Sequence, residues 1–168
     1  IKRAQKELSD YGVTVDIKIF KDFKTETHIK EINKIASQGY SGYCFTTIDT
    51  PEVQLAIHEI IKRGKPVVSV NTDIPDSGRI CYVGTDYNRA GKTAAGMLAL
   101  TTQKPLDILI ITGSYNIRGH NERIKGFTEG LALHNIQYKI IDSIEAQDDD
   151  TFSYEKSIQL INQNASIN

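Results

Sequence analysis

Residues 65–96 read KPVVSVNTDIPDSGRICYVGTDYNRAGKTAAG, an apolar strand that breaks into a polar loop, resumes briefly and then enters a helix. Val67, Val68 and Val70 form a β-branched run of the kind found in a strand buried on both faces. Its carboxyl end delivers Asn71 and Asp73, and in an open α/β sheet that end is where ligands bind. A second run, Ile80 to Val83, stops at Gly84, after which Asp86 or Asn88 is placed to cap the next helix. The stretch predicts a crossing between two βα arrays, with Gly84, Thr85 and Asp86 as the hinge.

Upstream of it, Ile1, Ala4, Leu8 and Tyr11 have helical spacing, and Gly12 closes that helix. Val13, Val15, Ile17 and Ile19 then alternate with polar residues and predict a half-buried strand. Ile29, Ile32, Ile35 and Ala36 mark a second helix that stops near Gly39, and Gly42 to Phe45 reads as a short inner strand. Thr50, Pro51 and Glu52 open a third helix: a hydroxyl to cap it, a fixed φ in the first turn, and an acid at the positive end of the dipole. Its apolar stripe is Val53, Ala56, Ile57, Ile60 and Ile61, and Gly64 ends it.

Downstream, Ala90, Ala94, Met97 and Leu98 define a helix, and Leu106 to Ile111 is a dense apolar strand ending at Thr112 and Gly113. A polar loop, Ser114 to Gly119, leads to a helix carrying Ile124, Phe127 and Leu131. A strand from Ile136 to Ile144 and a helix from about Phe152 with Ile158 and Ile161 complete the chain. Strict alternation of strand and helix predicts parallel sheets covered on both faces, because a parallel crossover needs a helix to return the chain. The expected organisation is two Rossmann-like lobes, residues 1–84 lacking a first strand and residues 85–168 cut off after two strands.

Composition bounds the function. Twenty basic against twenty-one acidic residues give a net charge of −1, with no run of five like charges, which argues against a nucleic-acid surface within these 168 residues. No apolar run approaches the ~20 residues that span a bilayer, and no secretory pattern opens the sequence. Cys44 and Cys81 lie in apolar strand-like runs and read as buried free thiols, which favours a reducing, cytoplasmic compartment.

Several motifs dissolve on inspection. Gly91, Lys92 and Thr93 imitate the end of a phosphate-binding loop, but Asp86 stands where that loop needs glycine, so the triplet reads as helix, with Gly91 and Gly96 permitting close packing. Gly113 and Gly119 lack dinucleotide-binding spacing. His28, His58, His120 and His134 are scattered and suggest no metal, and no cofactor is called for. Ser114 and His120 have neither a nucleophile elbow nor an orienting third residue, so the chain reads as a non-enzyme. Asp148, Asp149 and Asp150 read as a helix cap.

Asn71, Asp73 and Arg123 differ, because strand ends in both lobes would present them to one cleft. An amide, a carboxylate and a guanidinium together suit a polyol. The alternative is structural: an Asx turn before Pro75, and an ion pair from Arg123 to Glu122 or Glu129.

KPVVSVNTDIP, then YVGTDYNRAG, then Arg123, Gly126 and Phe127 in RIKGF occur in an order that resembles type I periplasmic sugar-binding proteins and the effector domains of lac-repressor-type transcription regulators. The resemblance covers nearly the whole chain. It implies a periplasmic binding protein type I-like fold and a sugar contact at Asn71, with a less direct one at Asp73. It also implies ligand binding by Arg123, with Asn116 and Arg118 on a loop that adds contacts. On this resemblance the expected function is a carbohydrate-sensing effector domain, homodimeric, reaching operator DNA through a headpiece outside the chain. The alternative is a substrate-binding protein of a sugar transporter, extracytoplasmic and partnered by an ABC permease.

Overall fold

The computed structural model describes residues 2–102 and 104–164. Ile1, counted above in the first helix, lies outside the described residues. The helices are α1 (Lys2–Leu8), α2 (Thr25–Ala36), α3 (Pro51–Lys62), α4 (Tyr87–Ala99), α5 (Arg118–Leu133) and α6 (Asp150–Gln163). The strands are β1 (Tyr43–Phe45), β2 (Val67–Val70), β3 (Cys81–Val83), β4 (Leu106–Thr112) and β5 (Tyr138–Glu145). They form two parallel sheets, ordered β1-β2-β3 and β4-β5.

The first sheet packs one face against α2 and α3. Tyr43, Phe45 and Val67 meet Ile32, Val53, Ile57 and Ile60 in one buried cluster, the apolar stripe read from the sequence. Among the described residues no helix covers the opposite face. Cys44, Val68 and Cys81 stand in register across the three strands, both cysteines are exposed, and Val83 is 59% exposed. The expectation of two covered faces and buried thiols is therefore corrected: sequence pattern marks a strand as apolar, but both neighbouring helices landed on the same side.

A second correction concerns residues 13–19, which are not a strand. Their alternation is real, but a strand exists only where a neighbour takes its N–H and C=O groups. Here β1 pairs with β2 alone, and Ile19 is 84% exposed. α1 stops at Leu8 and continues into a 3-10 turn, Ser9–Tyr11, which Gly12 closes at φ 74°; the helix predicted to run on to Gly12 is thus shorter, and α1 buries no residue.

Thr50 occupies the cap position of α3 without capping it; its hydroxyl is buried and unpartnered, and only its carbonyl takes part, accepting from Gln54 N at 2.9 Å. By contrast Asp86 caps α4, accepting from Arg89 N at 2.9 Å, and Asp149 caps α6, accepting from Phe152 N at 2.8 Å.

In the second half, α4 and α5 lie together on the sheet through a small-residue seam. The buried face of α4 is Gly91, Ala95 and Ala99, and that of α5 includes Gly126 and Gly130. A Cβ on Gly126 would fall 2.7 Å from the Asn88 carbonyl carbon, and one on Gly91 would fall 2.6 Å from Phe127 N. This explains the glycine before Phe127. Met97, expected on the core face, is instead 67% exposed, because glycine and alanine make the closer approach.

Candidate functional site

The link from β3 of the first sheet to α4 is residues 84–86. It is organised by two tyrosines that the sequence reading passed over. The Tyr82 hydroxyl lies 2.8 Å from the Asn71 carbonyl oxygen and 2.9 Å from that of Thr85, sharing its proton between them. Burial, with the nearby Tyr87, Asp73 and Asp86, pushes the Tyr82 phenol up, so it stays a donor. A Cβ on Gly84 would lie 2.7 Å from Tyr82 Cε2 and closer still to Cζ and the hydroxyl, so a side chain there would push the Tyr82 ring aside.

Asn71 has φ 67°, a left-handed backbone rare for a residue other than glycine. Such outliers persist where surrounding bonds hold them, and they concentrate at functional sites. Its N–H donates to Val83 O at 3.0 Å, its carbonyl meets Tyr82, and its side-chain Oδ1 accepts from the Tyr87 hydroxyl at 3.0 Å. The Tyr87 ring in turn lies under the Arg123 guanidinium, 4.8 Å from centroid to Cζ. Asn71, just past β2, and Arg123 from α5 are thus joined through one phenol. Arg123 makes neither of the ion pairs offered as its structural alternative: Glu129 takes Lys92 at 2.9 Å and Glu122 takes Arg118 at 3.5 Å.

Asp73 is engaged otherwise. Its carboxylate accepts from Arg79 Nε and Nη2, from Ser69 Oγ at 2.7 Å and from Ile74 N at 2.8 Å. Burial alone would raise its pKa; the hydrogen bonds from Arg79, Ser69 and Ile74, with the Arg79 charge, overcome that and hold it below the usual carboxylate range. The carboxylate closes the 71–79 loop from inside, and Arg79, its partner, was not singled out from sequence.

Asn116 and Arg118 join the two halves. Asn116 O accepts from Asp49 N at 2.8 Å, its Nδ2 donates to Phe23 O at 3.3 Å, and Arg118 Nη1 sits 3.4 Å from Asp49 Oδ2. Ile117 packs against the buried cluster of the first sheet. Gly119 N donates to the buried Thr72 hydroxyl at 3.4 Å. The loop between β4 and α5 therefore reaches across to the carboxyl ends of β1 and β2.

Ser114 and His120 do not form a nucleophile and base. The Ser114 hydroxyl donates to Glu145, and the His120 ring meets the Ser114 backbone. A cavity of about 330 Å³ lined by Phe20, Phe23, His28, Thr47 and Ile117 lies beside this junction, and another of about 430 Å³ covers β4. Neither is lined by Asn71 or Arg123, which are both exposed.

A family model described as a periplasmic binding protein domain matches residues 1–168. The chain belongs to the periplasmic binding protein domain family. Its type I-like α/β fold, with parallel sheets, agrees with that assignment. Among solved structures, this periplasmic binding protein domain is similar to GanP, a glucose-galactose binding protein from Geobacillus stearothermophilus. Identity is 26% and the TM-score 0.86, covering 99% of this chain and 60% of GanP. XylFII is similar at 26% identity and TM-score 0.88, covering 99% of this chain and 61% of XylFII. A third, an ABC transporter solute-binding protein from Burkholderia graminis in complex with D-arabinose, shares the fold at 22% identity and TM-score 0.85, covering 99% of this chain and 57% of its own. The chain thus spans about 60% of the length of these relatives. No curated protein matches it. Among the described residues no helix is long and apolar enough to cross a membrane.

Proposed function

We propose that the chain forms part of a substrate-binding protein that captures a small sugar in a cleft between two lobes and presents it to an ABC permease outside the cytoplasm. The observation that carries this is the meeting of Asn71 and Arg123, from opposite sides of the 84–86 link, through Tyr87. The sugar-binding names of GanP and the D-arabinose complex support the ligand class and favour a transporter receptor over a lac-repressor-type regulator. The operator-DNA and homodimer readings belong to that regulator alternative.

In this reading the lobes are residues 1–84 and 85–168, and Gly84, Thr85 and Asp86 form the hinge. Asn71 and Arg123 bond sugar oxygens; Asn116 and Arg118 frame the rim; Asp73 holds the loop that aims Asn71. Binding that favours the closed arrangement shifts the lobes together.

A thermal-shift panel of D-galactose, D-glucose, D-xylose and D-arabinose, followed by calorimetry, tests it. At least one sugar should stabilise the protein, and Arg123→Ala should weaken that sugar about 10- to 100-fold, the scale of a charge-assisted hydrogen bond, with the fold intact. No response to any of the four sugars would count against the ligand class, and unchanged affinity in Arg123→Ala would remove that residue from the site.

A further inference from the structure

We infer that Tyr87 is a positioning residue: its phenol holds the Asn71 amide and the Arg123 guanidinium at a fixed spacing before any ligand arrives. Tyr87 is the first residue of α4, anchored by the Asp86 cap immediately before it. Its ring is wedged on Gly119, where a Cβ would come within 2.7 Å of Cε2, so the ring is set by contact with the first turn of α5. From that seat it offers its face to Arg123 at 4.8 Å and its hydroxyl to Asn71 Oδ1 at 3.0 Å.

The hydroxyl also determines which chemistry Asn71 presents. With Oδ1 accepting from Tyr87, the free end of the amide is Nδ2, a donor of two hydrogen bonds. Arg123 is a donor only. The pair therefore turns mainly donors toward a ligand and favours acceptor oxygens, lone pairs of hydroxyl, ring or carbonyl oxygen, while one lone pair of Oδ1 remains for a ligand hydroxyl proton. The tyrosine achieves this without touching the ligand, and a cation over an aromatic face is held without an acidic partner that would compete for the same oxygens.

The test separates this role from the sugar-binding reading on which only its affinity arm rests. In the ligand-free protein, the Asn71 side-chain amide should give a restrained NH2 signal by NMR. Tyr87→Phe, which keeps the ring on Gly119 and under Arg123 but removes the hydroxyl, should release that signal while leaving the melting temperature unchanged. An equally restrained amide in Tyr87→Phe would overturn the inference, whether or not any sugar binds. For a sugar that binds the parent protein, Tyr87→Phe should weaken it about 3- to 10-fold, the scale of one neutral hydrogen bond, and Tyr87→Leu further, since the guanidinium then loses its platform. Equal affinity in parent and Tyr87→Phe would refute the positioning role while leaving the sugar-binding reading standing.

Discussion

Replacing Gly126 by alanine tests whether the α4–α5 seam sets both the stability of the second half and the geometry of the site. The new methyl would stand 2.7 Å from the Asn88 carbonyl carbon, against an ordinary contact beginning near 3.4 Å, and nearer still to the carbonyl oxygen. The obstacle is backbone, so no rotamer change relieves it, and the helices must part by more than the roughly 0.7 Å that the carbon alone requires, because the oxygen stands closer. Parting them also loosens the Gly130–Ala95 and Gly91–Phe127 contacts further along the same seam. Overpacking of this kind costs up to about 3 kcal/mol, and the higher helix propensity of alanine returns about 1 kcal/mol. The net destabilisation is up to about 2 kcal/mol, which for a chain of this size lowers the melting temperature by up to about 4–8 °C. Gly96→Ala on the same helix is the control, since its Cβ would meet only His134 Nε2 at 3.4 Å; it should be neutral or stabilising by up to about 1 kcal/mol. Calorimetry on both variants decides the matter. If Gly126→Ala melts no lower than Gly96→Ala, the seam is not a close-packed contact. Because Tyr87 begins α4, the same displacement should also free the Asn71 amide signal.

The Asp73–Arg79 pair, each side chain about one-fifth exposed, should contribute about 2 kcal/mol, so Arg79→Met should lower the urea midpoint at pH 7. Because the folded Asp73 pKa lies below its unfolded value, this contribution is complete above about pH 4 and is lost as pH falls through the folded pKa, where the variant and parent should converge. His28 is 3% exposed, stacked on Phe20 and bonded to Thr47 Oγ1 and the Asp22 carbonyl. Burial pushes its pKa down against the raising effect of the Asp22 contact. The unfolded chain therefore binds the extra proton first as pH drops below about 6.5, and stability should fall from there to the folded pKa; His28→Gln should lack that component in urea titrations at pH 7.5 and 5.5. Cys44 and Cys81, both exposed, should react with an aromatic disulfide reagent in the native state without denaturant; thiols that react only after unfolding would restore a covered face.

Legibility in the sequence varied with the range of the interactions that decide each feature. Helix α3 and strand β2 were read almost residue by residue, because the 3.6-residue stripe of Val53, Ile57 and Ile60 and the run Val67–Val70 are local patterns set by which side chains must leave water. The α4 cap, narrowed to Asp86 or Asn88, and the α6 cap, within Asp148 to Asp150, were readable for the same reason. Asn71 was placed at a strand end by local pattern, and Arg123 was singled out only through family resemblance. The strand predicted at 13–19 failed because pairing is a property of two segments, and alternation reports only one. Thr50 failed as a cap because its hydroxyl points into the protein, which no local rule specifies.

What the sequence determined by itself is the parallel α/β class and the order of elements from α2 to α6. Tertiary structure alone decided which face of the first sheet stays open, that Asp73 is closed off by Arg79, and that Tyr87 connects Asn71 to Arg123. Tyr87 and Arg123 are far apart along the chain, and they meet only because glycines at 91, 119 and 126 let α4 and α5 approach to backbone contact. Local periodicity fixes how a segment folds; the distance between segments depends on the volume of side chains that pattern does not record.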